Sequence, residues 1–147
     1  MKKYKFVIII IVFCSLNIGC NSCDEVQGIK ISELLSRQID DSYCETLENA
    51  IKLDKEAIIK VSTYKISDAA GYDHGYVLVS LIEKIGEQEY LKAIESVSTE
   101  QKQHIESYLW AGIDYGVNKI YKFKKLEELL PELAKFLKNR QNHQLTK

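Results

Sequence analysis

Apolar residues recur at three- and four-residue intervals along nearly the whole chain, which is the period of one face of an α-helix. Val77, Leu78, Leu81, Ile82 and Ile85 form one such stripe, and Ile105, Tyr108, Leu109, Gly112 and Ile113 form another. With one proline and seven glycines in 147 residues, the chain lacks the turn residues that a many-stranded sandwich or barrel needs. The pattern predicts an all-α fold, a compact bundle of about six or seven short helices in a single domain.

Local signals place the helix ends. Ser32 can cap a short helix carrying Leu34, Leu35 and Ile39, and Ser42 with Glu45 forms a capping-box pattern before Leu47, Ala50 and Ile51. Asp54 can cap the segment holding Ile58 and Ile59. Residues 67–73 read as a connection, with Asp73 as the N-cap of a helix that starts at His74 and stops at Gly86. Ser98 with Gln101 is a second capping-box pattern, and Gly116 is placed to end that helix. Pro131 interrupts a leucine-rich stripe, so two abutting helices are expected, with Pro131 first in the second. A faint echo links Leu47, Ala50 and Ile51 to Leu78, Leu81 and Ile82, 31 residues on, and suggests solenoid-like stacking of helix pairs.

The N-terminus has a different character. Lys2, Lys3 and Lys5 precede an apolar run from Phe6 to Leu16, the layout of an export signal. Eleven helical residues span about 16 Å, roughly half of a bilayer's hydrocarbon core. The segment Leu16-Asn17-Ile18-Gly19-Cys20 resembles the lipobox of bacterial lipoproteins, in which a small residue precedes an invariant cysteine. The resemblance covers residues 1–20. It implies cleavage of residues 1–19 and acylation of Cys20, leaving a protein held to a membrane of the cell envelope by its lipid. Two or more acyl chains hold stably, each buried methylene contributing about 0.8 kcal/mol. Residues 20–30 would then be a tether and 31–147 the helical domain.

Cysteine arithmetic follows from that reading. Cys14 leaves with the signal and Cys20 is the lipid site, so Cys23 and Cys44 remain. In an oxidising compartment they are placed to form one disulfide; the alternative is a buried Cys44 and a free thiol at Cys23. No Cys-x-x-Cys spacing remains, and His74, His104 and His143 are too far apart in sequence for a helical metal site. No phosphate-cradling glycine loop, EF-hand or hydrolase motif occurs, so no cofactor or metal is expected.

Charge is unevenly distributed. The full chain carries a net charge of −1, but residues 24–118 carry 9 basic and 18 acidic side chains, whereas 119–147 carry 8 basic and 3 acidic. An acidic body gives no reason to expect nucleic acid. It suits a basic protein partner, whose encounter the field would steer. The lysines at 119, 122, 124 and 125 offer a weaker case for contact with anionic lipid head groups.

Two clusters are candidates for function. Tyr72, Asp73 and His74 are candidate partner contacts that bring together a phenol, a carboxylate and an imidazole. Adjacent residues rarely face one another as an acid–base pair requires. The plainer alternative is structural, with Asp73 a cap and His74 a hydrogen-bonded, partly buried residue opening the stripe. Trp110, one position off an apolar stripe and with Asp114 one turn later, is the best candidate for an exposed partner contact. The leading expectation is a lipid-anchored envelope protein that works by protein–protein binding, for example as an inhibitor or immunity-type protein. The alternatives are an envelope hydrolase using scattered carboxylates and a structural envelope lipoprotein.

Overall fold

The computed structural model describes residues 23–115, 121 and 124–139. Residues 1–22, 116–120, 122–123 and 140–147 lie outside the described residues, among them the segment expected to be an export signal, Cys20, Gly116, Lys119, Lys122 and His143. Within them the fold is all-α, with eight helices and one small hairpin.

The hairpin pairs β1 (Glu25–Val26) with β2 (Ile29–Lys30) in antiparallel register, Val26 opposite Ile29. Its turn residues, Gln27 and Gly28, both have positive φ, +46° and +88°, as a tight two-residue turn demands. Val26 and Ile29 are buried in the main core. The segment expected to be a tether is therefore folded from Cys23 onward. Two-residue strands carry no period for a sequence reading to detect.

The helices follow in order: α1 (Glu33–Ser36), α2 (Ser42–Ile51), α3 (Lys55–Ser62), α4 (Ala70–Ile85), α5 (Glu87–Ile94), α6 (Thr99–Tyr115), α7 (Leu126–Leu129) and α8 (Pro131–Lys138). Several ends form as the local chemistry dictates. Ser32 Oγ accepts from Leu35 N–H at 3.0 Å, and Asp54 Oδ1 accepts from Ala57 N–H at 2.9 Å. Gly86, at φ +89°, closes α4 by donating its N–H to the Ile82 carbonyl. Ser98 and Gln101 exchange both bonds of a capping box, at 2.8 and 3.2 Å. Pro131 is the first residue of α8.

Two ends differ. The Ser42–Glu45 box does not form, because the Asp40 carboxylate accepts from both Ser42 N–H (2.8 Å) and Ser42 Oγ (2.6 Å). Asp40 thus takes the amide from which Glu45 would accept, and it engages the Ser42 hydroxyl that would accept from the Glu45 amide. α4 starts at Ala70 rather than after Asp73, so Asp73 lies in its first turn and is not its N-cap.

α4 is the hub of the bundle, touching α1, α2, α5, α6 and β2, with α6 as its main partner. Solenoid repeats contact only their neighbours, so the helices do not stack as successive pairs. The α4–α6 crossing is set by glycine. A Cβ on Gly75 would stand 2.1 Å from the Tyr108 carbonyl oxygen, and one on Gly112 would stand 2.2 Å from the Gly75 carbonyl. The two backbones thus touch where only hydrogen atoms fit.

Beside the crossing, Tyr108 Oη accepts from Ile66 N–H and donates to the Ile66 carbonyl, each at 3.0 Å. This ties α6 to the loop that leads into α4. On the other side of the core, the buried Tyr90 hydroxyl donates to Ser62 Oγ at 2.8 Å, and Ser62 Oγ donates to the Ile58 carbonyl. Glu87 Oε1 accepts from Leu133 N–H at 2.8 Å and anchors the first turn of α8. The Cys23–Cys44 disulfide pins the chain just before β1 to α2, with Cα atoms 6.2 Å apart.

Candidate interaction site

The outward stripe of α6 carries Glu100, Gln103, Glu106, Ser107, Trp110 and Asp114, residues that helical spacing places on one side. Three of the six are carboxylates and none is a cation. Lys102 points elsewhere, its ammonium 3.8 Å from the centre of the Phe136 ring. The opposite side of α6 buries Ile105, Leu109, Gly112 and Ile113 against the core.

Trp110 is 56% exposed, Tyr115 64% and Tyr72 43%; together they are three of the five large exposed apolar or aromatic side chains in the described residues. They form one cluster. The Tyr72 and Tyr115 ring centres lie 4.8 Å apart at 65°, and those of Trp110 and Tyr115 lie 6.1 Å apart at 69°. Edge-to-face packing of this kind contributes about 0.5–1.5 kcal/mol per pair and fixes the rings relative to one another. Between Tyr72 and Trp110 runs a shallow open cleft of about 750 Å³, floored by Ala111 and edged by Gln103, Glu106 and Ser107. On the far side of Trp110, a second groove is bordered by Glu106, Asp114, Lys124, Lys125 and the ion pair Glu127–Lys138.

The sequence expectations divide here. Trp110 and Tyr72 are exposed and face a common cleft, and Asp114 is half-buried beside Trp110. His74 is a correction: it is fully buried and cannot be a partner contact. Its ring packs edge-on against Tyr43 and Tyr108, with centroids at 5.9 and 4.8 Å. Tyr43 Oη lies 2.8 Å from His74 Nδ1. Burial pushes the Tyr43 phenol far up, so it stays protonated. The Tyr43 hydroxyl and Nδ1 share one hydrogen bond, which satisfies that side of the ring. Nε2 is buried without a hydrogen-bond partner. Burial lowers the His74 pKa to about 4; the Val61 backbone favours the charged ring but is outweighed and makes no hydrogen bond to Nε2. A sealed, neutral imidazole does not reach a substrate.

Asp73 is likewise no free contact, since it is half-buried and accepts a hydrogen bond from Ser32 Oγ, joining α1 to α4. Asp73 and His74 do not act on each other. The glycines around them serve the α6 crossing instead: a Cβ on Gly71 would meet Tyr108 and one on Gly75 would strike its backbone.

A second acidic feature lies at the disulfide. The Cys23–Cys44 bridge, Glu25, Asp40, Glu45 and Glu48 border a cleft of about 470 Å³. Donation from Ser42, and then from Tyr64, holds the Asp40 carboxyl down at about 2. Among the described residues no group of histidine, cysteine and carboxylate side chains is arranged to hold a metal ion. No described helix is long and apolar enough to cross a membrane.

Tyr115 and Tyr43 escaped the sequence reading. Tyr115 is the last helical residue of α6, off the stripe of Trp110, and joins the cluster through Tyr72 on another helix and through Trp110 five residues earlier. Tyr43 meets His74 across 31 residues. Neither contact leaves a periodic or spacing signal. No protein-family model matches the chain, and neither a curated protein nor a solved structure matches it.

Proposed function

We propose that the protein is a lipid-anchored component of the cell envelope that acts by binding a basic protein, in the manner of an inhibitor or immunity protein. The observation that carries this reading is the exposed aromatic cluster on an acidic helical face. Large exposed aromatics bury much area at small entropic cost, and Tyr and Trp are enriched where proteins meet. The surplus of 18 acidic over 9 basic residues in 24–118 speeds encounter with a partner of opposite charge. The anchor rests on Gly19 and Cys20 in a lipobox-like segment behind a lysine-led apolar run.

Two measurements test the two halves. Fractionation of cells expressing the full chain should find it with membranes, and Cys20→Ala should release it; unchanged fractionation of that variant refutes lipidation at Cys20. Co-purification should recover a partner of basic isoelectric point that dissociates as salt rises from 50 to 500 mM. A partner that is acidic, or binding indifferent to salt, refutes the electrostatic reading.

A further inference from the structure

We infer that the outward face of α6, with Trp110 at its centre and Tyr72 and Tyr115 beside it, is the docking surface, and that it takes an arginine- or lysine-bearing segment of a basic protein. This rests on the proposed binding role and names where and how the partner is held.

Charge selects the occupant. Glu100, Glu106 and Asp114 share the stripe with Trp110, and α6 places no cation on that side. Glu106 and Asp114 also border the neighbouring groove, together with Lys124, Lys125 and Lys138, the last paired with Glu127. The side of Trp110 turned to Tyr72 and Gln103 carries no lysine, so a basic segment is drawn along that side toward Glu100 and away from Lys124 and Lys125. A guanidinium lying over the indole face gains from the ring quadrupole and reaches the adjacent carboxylates with its outer N–H groups.

The same pattern disfavours the other occupants. Helices that lie in a membrane interface present lysine and arginine on their polar side, whereas here carboxylates would meet anionic head groups. A second copy docked symmetrically would set the Glu106 and Asp114 of one chain against those of the other. The surface is also pre-organised. Edge-to-face contacts fix the rings, and the Gly75–Gly112 crossing and the Tyr108–Ile66 hydrogen bonds fix α6 itself, so little freedom is lost on docking.

Trp110 is the single tryptophan of the chain, so its fluorescence reports this surface alone. The test titrates the purified full chain with a 12-residue Arg/Leu peptide, with its Glu/Leu counterpart, and with phosphatidylcholine–phosphatidylglycerol vesicles. The expected result is a saturable change in Trp110 emission with the basic peptide alone. Labelled-peptide anisotropy should show binding weakened at least tenfold by Tyr72→Ala combined with Tyr115→Ala. Both residues are exposed, and an unchanged circular dichroism spectrum verifies the fold. Glu45→Gln combined with Glu48→Gln, at the disulfide cleft, should change affinity less than twofold.

Emission unmoved by the basic peptide overturns the proposal. So does a response to vesicles alone, which would mark a membrane surface, or a change with protein concentration alone, which would mark self-association. Binding lost in the Glu45/Glu48 variant but retained in the Tyr72/Tyr115 variant overturns the docking surface while leaving the basic-partner reading intact.

Discussion

Replacing Gly75 with alanine puts a methyl carbon 2.1 Å from the Tyr108 carbonyl oxygen and 2.7 Å from the Gly112 nitrogen, both backbone atoms that no rotamer change can move. Relief requires α4 and α6 to part by about 1 Å. A gap of that size forfeits a quarter to a half of each dispersion contact across the interface, where Leu78, Leu109 and Ile113 are buried. Overpacking of this kind costs about 1–3 kcal/mol or more, and the better helix propensity of alanine returns about 1 kcal/mol. Losses along the longest helix pair put the cost at the top of that range, a net of about 2 kcal/mol. With an m-value of about 1.5 kcal/mol/M, the urea midpoint should fall by roughly 1.3 M. Gly71→Ala is the internal control. Its Cβ would meet the Tyr108 ring at 3.5 Å and the Ile66 carbonyl oxygen at 3.9 Å, both ordinary contacts, so it should be neutral or gain up to about 1 kcal/mol. The assay is urea unfolding followed by far-ultraviolet circular dichroism. Equal stability of the two variants would refute the claim that backbone contact at Gly75 and Gly112 sets the crossing.

The remaining predictions concern the buried histidine and the disulfide. His74 has a folded pKa of about 4 against an ordinary 6.5, so its contribution is complete above pH 6.5 and is lost as pH falls toward 4, where the unfolded state holds a proton the folded state refuses. The loss should reach about 3 kcal/mol by pH 4. Unfolding between pH 6.5 and 5 should show a slope that His74→Leu abolishes; an unchanged slope in that variant would place the dependence elsewhere. Replacing both Cys23 and Cys44 by serine opens a loop of 21 residues and should cost about 3 kcal/mol, read as a lower melting temperature. A melting temperature within a degree or two of the parent would show that the hairpin holds to α2 without the bridge.

What was legible in the sequence was what is local. Asp54, Gly86, the Ser98–Gln101 box and Pro131 each act within four residues, and each sits where its chemistry requires. The Ser42–Glu45 box does not form because a third local group, the Asp40 carboxylate, accepts from both Ser42 N–H and Ser42 Oγ. The hairpin failed for another reason. Val26 and Ile29 are buried only because the turn, the disulfide and α4 meet there, and four strand residues have no readable period. The Tyr72–His74 cluster finds its partners 31 to 43 residues away, in Tyr43, Tyr108, Gly112 and Tyr115. There the glycines make room for α6, His74 is sealed behind Tyr43, and only Tyr72 is left facing out. For the candidate site, the exposure of Trp110 was foreseeable from its place one step off the apolar stripe, while its coupling to two tyrosines was not.

Site-specific photo-cross-linking in cells, from the full chain, tests the central claim most directly. A cross-linking residue at Gln103, on the outward stripe of α6, should capture a basic protein, and the yield should fall at least tenfold with Trp110→Ala. The same residue at Gln88, exposed on α5, should capture none of it. Equal capture from both positions, or capture from Gln103 that survives Trp110→Ala, would contradict docking on this face.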